Sequence, residues 1–370
     1  MSQTTTSAVS GREARVAPGS RTDRAIKRQR VLDILDAAGH DSVLLTTNTA
    51  LTWYLDGSRV HISLAGDPIA ALLVDRDGDH LVTFNNEAGR IAAEELPGGV
   101  NLHTVPWYGN LHQAAAAVGN GSRPLAEADV SSQLRAARQR LLPAESARYS
   151  TLSAELAAMM TDVLSAARPD TTEFELVSAL AGRVVAAGAE PLVLLCNGSS
   201  RTTFRHPLAT HSPLGRRAMA VVCARRDGLV ANITRWIRFD AGTPEERDAE
   251  ARIAAVEADV FDATVPGVGL DRIFAEIQAS YVRHGFGADQ WEQHHQGGPA
   301  GYAGRDPRVT SEATDTVVLD QAFTWNPSGP GVKIEDTVQL TESGLRVLTV
   351  DPRWPVATVN GLDRPVTLQL

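Results

Sequence analysis

The sequence predicts an α/β (α+β) protein of two domains, and three observations carry that expectation. The chain has 370 residues, more than one hydrophobic core usually supports. Residues 67–84, "DPIAALLVDRDGDHLVTF", set two apolar runs on either side of the turn "DRDGD", a hairpin pattern among helical segments. Beyond residue 142 the order is two helices, hairpin, two helices, hairpin, a duplicated architecture without a residue-level repeat.

Residues 1–22 are rich in Ser, Thr, Gly and Pro and lack the apolar core of a secretory signal, so they are expected to be a disordered lead-in. The basic run "RTDRAIKRQR" (21–30) is read as the solvated face of a first helix. "RVLDILDAAGHDSVLLTT" (30–47) is an amphipathic helix, a Gly turn and a buried strand. After the hairpin, "EAGRIAAEEL" is a short helix ended by "PGG", and "VNLHTVPW" returns as a strand. These elements define a first domain over 23–141.

"LPAES" (142–146) marks the boundary to a second domain over 142–370. Helices are expected over 145–167 and 173–188, the latter opened by a Thr-x-x-Glu-like cap. "PLVLLCNG" and "AMAVVCARRDGLVANITRWIRF" read as strands, with "RRDG" supplying a turn. Helices over 245–265 and 269–284 follow, and the strand runs "TVVLDQAFTWNP" and "KIEDTVQLTESGLRVLT" are expected to close the chain.

A formal net charge of −9 argues against nucleic-acid binding, which needs clustered positive charge. No run approaches the roughly 18 apolar residues of a membrane span. Cys196 and Cys223 lie far apart with no CxxC pair, so neither a disulfide framework nor a thiolate zinc site is expected, and a reducing cytoplasm is. "EQHHQGGPAGYAGRD" (292–306) raises the chemical question, because paired histidines beside acidic residues suit a metal site or acid/base work.

The order of motifs resembles the creatinase / aminopeptidase P / methionine aminopeptidase superfamily, the pita-bread fold, over roughly residues 30–350. "DILDAAGHDSVLLTTNTALTWYLDG" is similar to the N-terminal domain of the creatinase and aminopeptidase P branch. "GSSRTTFRHP" resembles the segment bearing that superfamily's first active-site histidine, which puts His206 there. "ANITRWI", "HHQGG", "FTWNPSG" and "KIEDTVQLTESGLRVLT" resemble its remaining signatures in order. The resemblance implies two divalent ions held by two Asp, one His and two Glu.

This chain departs from that set. The first Asp position falls on Val221, Val222 or Cys223, the second on Asn232, the histidine on His295, the first Glu on Asn326 and the last on Glu335. One of four carboxylates remains. Two divalent ions bring about +4 charges and prefer anionic oxygen ligands; leaving most of that charge uncompensated in a partly buried site costs several kcal/mol. The expectation is therefore no metal and no cofactor, with a single ion on His295, Glu335 and Cys223 as the lesser alternative.

The creatinase branch implies that a histidine can hydrolyse without metal, and "GYAGRD" resembles its "HYYGRE" run, although the usual second histidine is replaced by Gly301 or Tyr302. His206 is the expected proton shuttle. His295 and Glu335 would hold the reacting group, while Arg305 would clamp a substrate carboxylate or pair with Asp306. Asn232, Asn326 and Tyr302 are expected pocket residues, and Arg59 a weaker one from the first domain. His294 is expected to point elsewhere on the turn, Cys223 to be a buried inert thiol, and Gly297 and Gly298 to permit close backbone approach.

The expected function is metal-independent hydrolysis of a C–N bond in a small-molecule or short-peptide substrate by a cytoplasmic homodimer. The alternatives are a metal-dependent Xaa-Pro dipeptidase or aminopeptidase with altered ligands, and a non-catalytic pita-bread binding protein.

Overall fold

The computed structural model describes residues 21–119 and 123–370. They divide into two compact units, the described residues up to Asp129 and the segment Val130–Leu370. Of the lead-in, residues 1–20 lie outside the described residues; the first helix spans Arg21–Ala38.

In the first unit, five strands run in the spatial order Asn101–Val105, Asp79–Phe84, Ala70–Asp75, Ser42–Leu45, Leu125–Ala126. The hairpin forms as the sequence predicts, pairing Val74 with Asp79. Its turn is fixed by Asp75, whose Oδ1 accepts from the amides of Asp77 and Gly78 at 2.8 Å each. The basic run on the first helix is not simply solvated. Arg24 and Arg28 pair with Asp79, and Lys27 is fully buried against Asp56. Spacings of three and four residues put these cations on one helix face, and that face turns inward.

The second unit carries the duplicated pattern. Its helices Pro143–Ser165 and Glu173–Ala186 precede a sheet ordered Leu368–Gln369, Leu229–Arg238, Arg217–Arg226, Glu190–Asn197. Helices Pro244–Ala263 and Leu270–Arg283 precede a second sheet ordered Gly344–Val347, Asp336–Thr341, Ala322–Trp325, Gly297–Ala300. Apolar stripes of the later helix pair, including Val256, Phe261, Ile273 and Ile277, bury against Phe323, Trp325 and Val338. The halves meet where the Thr234 amide donates to the Glu335 carbonyl at 3.0 Å.

Two expectations fail at the end of the chain. In "TVVLDQAFTWNP" only Ala322–Trp325 is a strand, because Asp320 takes a left-handed backbone (φ 63°) and the Val317 amide bonds to Val268 instead of a ladder. The closing strands are also not the last. Val356–Val359 and Leu362–Pro365 form a further hairpin, and Leu368–Gln369 adds in parallel to Leu229–Arg238. The hairpin turns through Asn360 and Gly361 at φ 47° and 81°, the Asn-Gly geometry of a two-residue turn, so its signal was present in the sequence. Among the described residues no helix is long and apolar enough to cross a membrane.

Helix Pro244–Ala263 begins with a closed capping box: Thr243 Oγ1 accepts from the Glu246 amide at 3.2 Å and Glu246 Oε2 accepts from the Thr243 amide at 3.0 Å. Replacing Thr243 by Ala is expected to cost about 1 kcal/mol, read as a lower urea midpoint at unchanged m-value. Arg216 also bonds to Glu246 and pulls its carboxyl from the ordinary 4.5 down to about 2. A carboxyl depressed on folding stabilises above its unfolded pKa and loses that contribution as pH falls, here between 4.5 and about 2. Glu246→Gln should therefore give a shallower fall of the urea midpoint across that interval than the parent protein shows.

Candidate active site

Three histidines from two distant segments meet in the second unit. His206 lies in the segment joining strands Glu190–Asn197 and Arg217–Arg226. That segment is clamped by fully buried Glu173 at the start of its helix. Glu173 Oε1 accepts from the Gly198 amide at 2.8 Å, and Oε2 accepts from the Thr210 amide and hydroxyl at 2.8 Å each and from Arg201. Further along, the Cys196 amide donates to the Pro207 carbonyl at 3.2 Å, and Arg205 donates to the Gly329 carbonyl. His206 itself stays exposed.

His294 and His295 follow the single 3-10 turn Gln290–Gln293 and lead into strand Gly297–Ala300. The entry to that strand is tight. A Cβ on Gly297 (φ 98°) would sit 2.2 Å from the Thr324 carbonyl oxygen, and one on Gly298 (φ 140°) 2.5 Å from that of Pro307. The two glycines have the close-approach role expected of them. Gln296 braces the turn through the carbonyls of Trp291 and His294 at 2.8 and 2.5 Å.

His294 does not point elsewhere. It is buried, its Nε2 lies 3.1 Å from Nε2 of His206, and its ring stacks on His295 with centroids 4.4 Å apart. The ring nitrogens of His206, His294 and His295 lie within 4.8 Å of one another. Burial lowers the pKa of all three, with Lys333 adding to this at His206 and His294, and Arg305 at His295. His294 falls to about 2 and His295 to about 3, so both are neutral imidazoles at physiological pH.

Glu335 is the single carboxylate at the positions the resemblance assigns to metal ligands, and its oxygens are occupied. Arg305 Nη2 donates to Oε1 at 2.7 Å; Lys333 Nζ lies 2.9 Å from Oε2, and Thr234 Oγ1 donates to Oε2 at 2.7 Å. Burial alone would raise this carboxyl, yet Lys333 and Arg305 together hold it well below the usual range. Arg305 therefore faces Glu335. The alternative pairing with Asp306 does not form, because Asp306 is held by Arg138 at 2.5 and 2.9 Å. With Arg308 also acting on His206 and His295, cations outnumber the one carboxylate.

The other expected residues divide. Asn232 is buried and donates from Nδ2 to Thr324 Oγ1 at 3.2 Å and to the Val230 carbonyl at 3.3 Å. It pairs across the ladder with Cys223, whose thiol burial pushes up to about 12, in keeping with an inert cysteine. Asn326 is buried beside the histidine turn, its amide donating to the Gln296 carbonyl at 3.2 Å and its Oδ1 without a partner. Tyr302 donates its hydroxyl to Glu145 at 2.6 Å on helix Pro143–Ser165. Arg59 belongs to the other unit, where it pairs with Glu95 and Glu94.

These residues do not fit a pair of divalent ions. Val221 and Val222 offer no donor, Cys223 is a protonated thiol, Asn232 and Asn326 offer only neutral amide oxygens, and Glu335 is already neutralised by two side-chain cations. A dication would have to displace or face Lys333 and Arg305. Lys333, which pairs with Glu335, is the residue of this cluster that the sequence did not single out. Its signal was the strand period of two, which sets residues 333 and 335 of "KIE" on one face.

The profile of metallopeptidase family M24 matches residues 151–342. A prolidase from Pyrococcus horikoshii OT3 superposes with a TM-score of 0.72 at 17% identity, covering 88% of this chain and 99% of its own. A Xaa-Pro dipeptidase from Bacillus anthracis gives 0.71 at 14% identity over 94% and 100% of the two chains. The N-terminal domain of a FACT complex subunit from Cicer arietinum (chickpea) gives 0.65 at 13% identity over 88% and 95%. At these identities the likeness shows the fold. No curated protein matches the chain. The profile covers more than half of the sequence, and the fold, with its two helix-pair-and-sheet halves, agrees with it: this chain belongs to metallopeptidase family M24.

Proposed function

We propose that the protein is a hydrolase that cleaves a C–N bond in a small polar, carboxylate-bearing substrate by histidine acid/base chemistry, without a divalent ion pair. The observation carrying this reading is the neutralisation of Glu335 by Lys333 and Arg305, which fills with fixed side-chain charge the place where cations would be bound.

His206 is the working base. It is the exposed member of the cluster, and partial loss of water around the ring, with Lys333 adding to it, lowers its pKa and favours the neutral form. Its Nε2 is engaged by His294, which leaves Nδ1 to take a proton from water. The water adds to the substrate's acyl or amidino carbon, the C–N bond breaks, and His206 returns the proton to the departing nitrogen. The excess positive charge of Lys333, Arg305 and Arg308 favours the developing negative charge and attracts a carboxylate. Arg305 acts through Glu335 in this scheme, which modifies the direct clamp expected from sequence. The reading extends to a homodimer, as the resemblance to creatinase-like proteins implies, in the reducing cytoplasm that two distant cysteines without a CxxC pair fit.

Replacing His206 by Ala is expected to lower turnover about 100-fold or more on N-acyl and N-amidino amino acid substrates, the usual worth of a general base. Unchanged turnover would remove His206 from the mechanism. Exhaustive chelation, checked by elemental analysis, is expected to leave kcat unaltered.

A second reading has its own observation, the three clustered neutral imidazoles. Nitrogen donors suit a single zinc, nickel or copper ion, and a mononuclear site would permit Xaa-Pro dipeptide hydrolysis with a rebuilt ligand set. Loss of activity on chelation, restored by one equivalent of zinc, would replace the first reading with this one.

A further inference from the structure

We propose that a cavity in the Val130–Leu370 unit, apart from the histidine cluster, binds an amphipathic anion, an aliphatic body carrying one carboxylate or phosphate head. The cavity measures about 800 Å³, a size typical of small-ligand sites, and none of the three histidines lines it. Its apolar lining includes Ile253 and Ala254 of helix Pro244–Ala263, Val332, and Val359 and Val366 of the C-terminal segment.

Charge selects the head group. Five cationic side chains, Arg235, Arg238, Arg247, Lys333 and Arg364, line the cavity against one carboxylate, Glu250. Arg235 and Lys333 are committed to Asp336 and Glu335. The other three retain donor capacity. Arg364, only 1% exposed, gives Nε and Nη2 to Glu257 and Nη2 to Asp336, while its Nη1 has no partner. Arg238, 5% exposed, bonds to Glu250 through Nη2 and leaves Nε without a partner. Arg247 is exposed and donates to the main-chain carbonyls of Ala241 and Gly242 at 2.5 and 3.2 Å, with no ion-pair partner among the described residues.

The orphaned N–H groups of Arg238 and Arg364 are enclosed in the wall and do not open onto the cavity. Arg247, exposed at the cavity and without an ion-pair partner among the described residues, is the cation that calls for an anionic head. The aliphatic walls call for an apolar body, which excludes a bare inorganic ion or a sugar as the best fit. A cationic ligand would meet Arg247, the lining cation without an ion-pair partner among the described residues. The site is separate from the histidine cluster but adjoins it, since Thr234 and Lys333 line the cavity and also hold Glu335.

Isothermal titration of the full chain with decanoate and with decyl phosphate, each below its micellar concentration, tests the proposal, with decanol as the neutral control. The expected result is saturable one-to-one binding of at least one anion, with decanol weaker by about tenfold or more, the worth of a charge-assisted hydrogen bond. The tighter of the two anions identifies the head group. Arg247→Ala should weaken the anions by about tenfold and leave decanol unaltered. Because that side chain is exposed, its melting temperature should match the parent protein. Ala254→Phe, which fills the cavity, should abolish binding of both classes; should that variant fail to fold, the arginine variant alone decides. No saturable binding by either anion, equal binding of decanol, or indifference to Arg247→Ala would overturn the assignment.

Discussion

The candidate site depends on one buried carboxylate and the two cations that hold it. Glu335 is 1% exposed, and an isolated ionised carboxylate at that depth would be untenable. Arg305 arrives from the glycine-rich segment after the paired histidines and Lys333 from the same strand region as Glu335, so the three-charge cluster ties separate stretches of chain together. Removing one partner of such a buried pair typically costs about 3–5 kcal/mol, since the remaining charge is left uncompensated. Loss of water on burial sets the state of the histidines, and the same surplus positive charge adds to it, so that they are held neutral.

Around that cluster, the backbone is arranged to let rings converge. Gly297 and Gly298 bring the histidine turn against strand Ala322–Trp325 at distances no side chain would permit. On the opposite side, Glu173 replaces missing regular structure. Its two oxygens collect main-chain and side-chain donors from Gly198, Arg201 and Thr210, and so hold a segment with no strand of its own at the place where His206 is needed. An exposed histidine on a clamped loop facing a buried one on a glycine turn gives a pair with different access to water.

Much of this was legible in the sequence. The hairpin at 67–84, the paired helices and the duplicated pattern follow from periodicity and turn chemistry, which are local properties. His206, His295 and Glu335 were placed by motif order, and the structure brings them into one unit. The rest depended on tertiary facts. That Lys27 is buried, that His294 turns inward, that Arg305 chooses Glu335 while Asp306 goes to Arg138, and that Tyr302 reaches back to Glu145 are contacts across 29 to 168 residues of sequence, or reorientations at a single turn. No periodicity encodes them. The C-terminal hairpin is a different case: its Asn-Gly turn was readable, but its strands have only four residues each.

Strand alternation explains why one short stretch can serve two regions. Glu335 faces Lys333, Arg305 and Thr234, while Asp336, the next residue, turns to the other side and receives Arg235 at 2.8 Å and Arg364 at 2.7 Å. Arg364 in turn chelates Glu257 on helix Pro244–Ala263 at 2.6 and 2.9 Å, fastening the C-terminal hairpin to that helix. Each carboxylate of the "ED" pair is satisfied by two cations, so each face of the strand carries its own closed ion cluster. Both carboxylates of this strand therefore take their counter-charge from the protein's own side chains. The lysine and arginines around it supply that charge permanently.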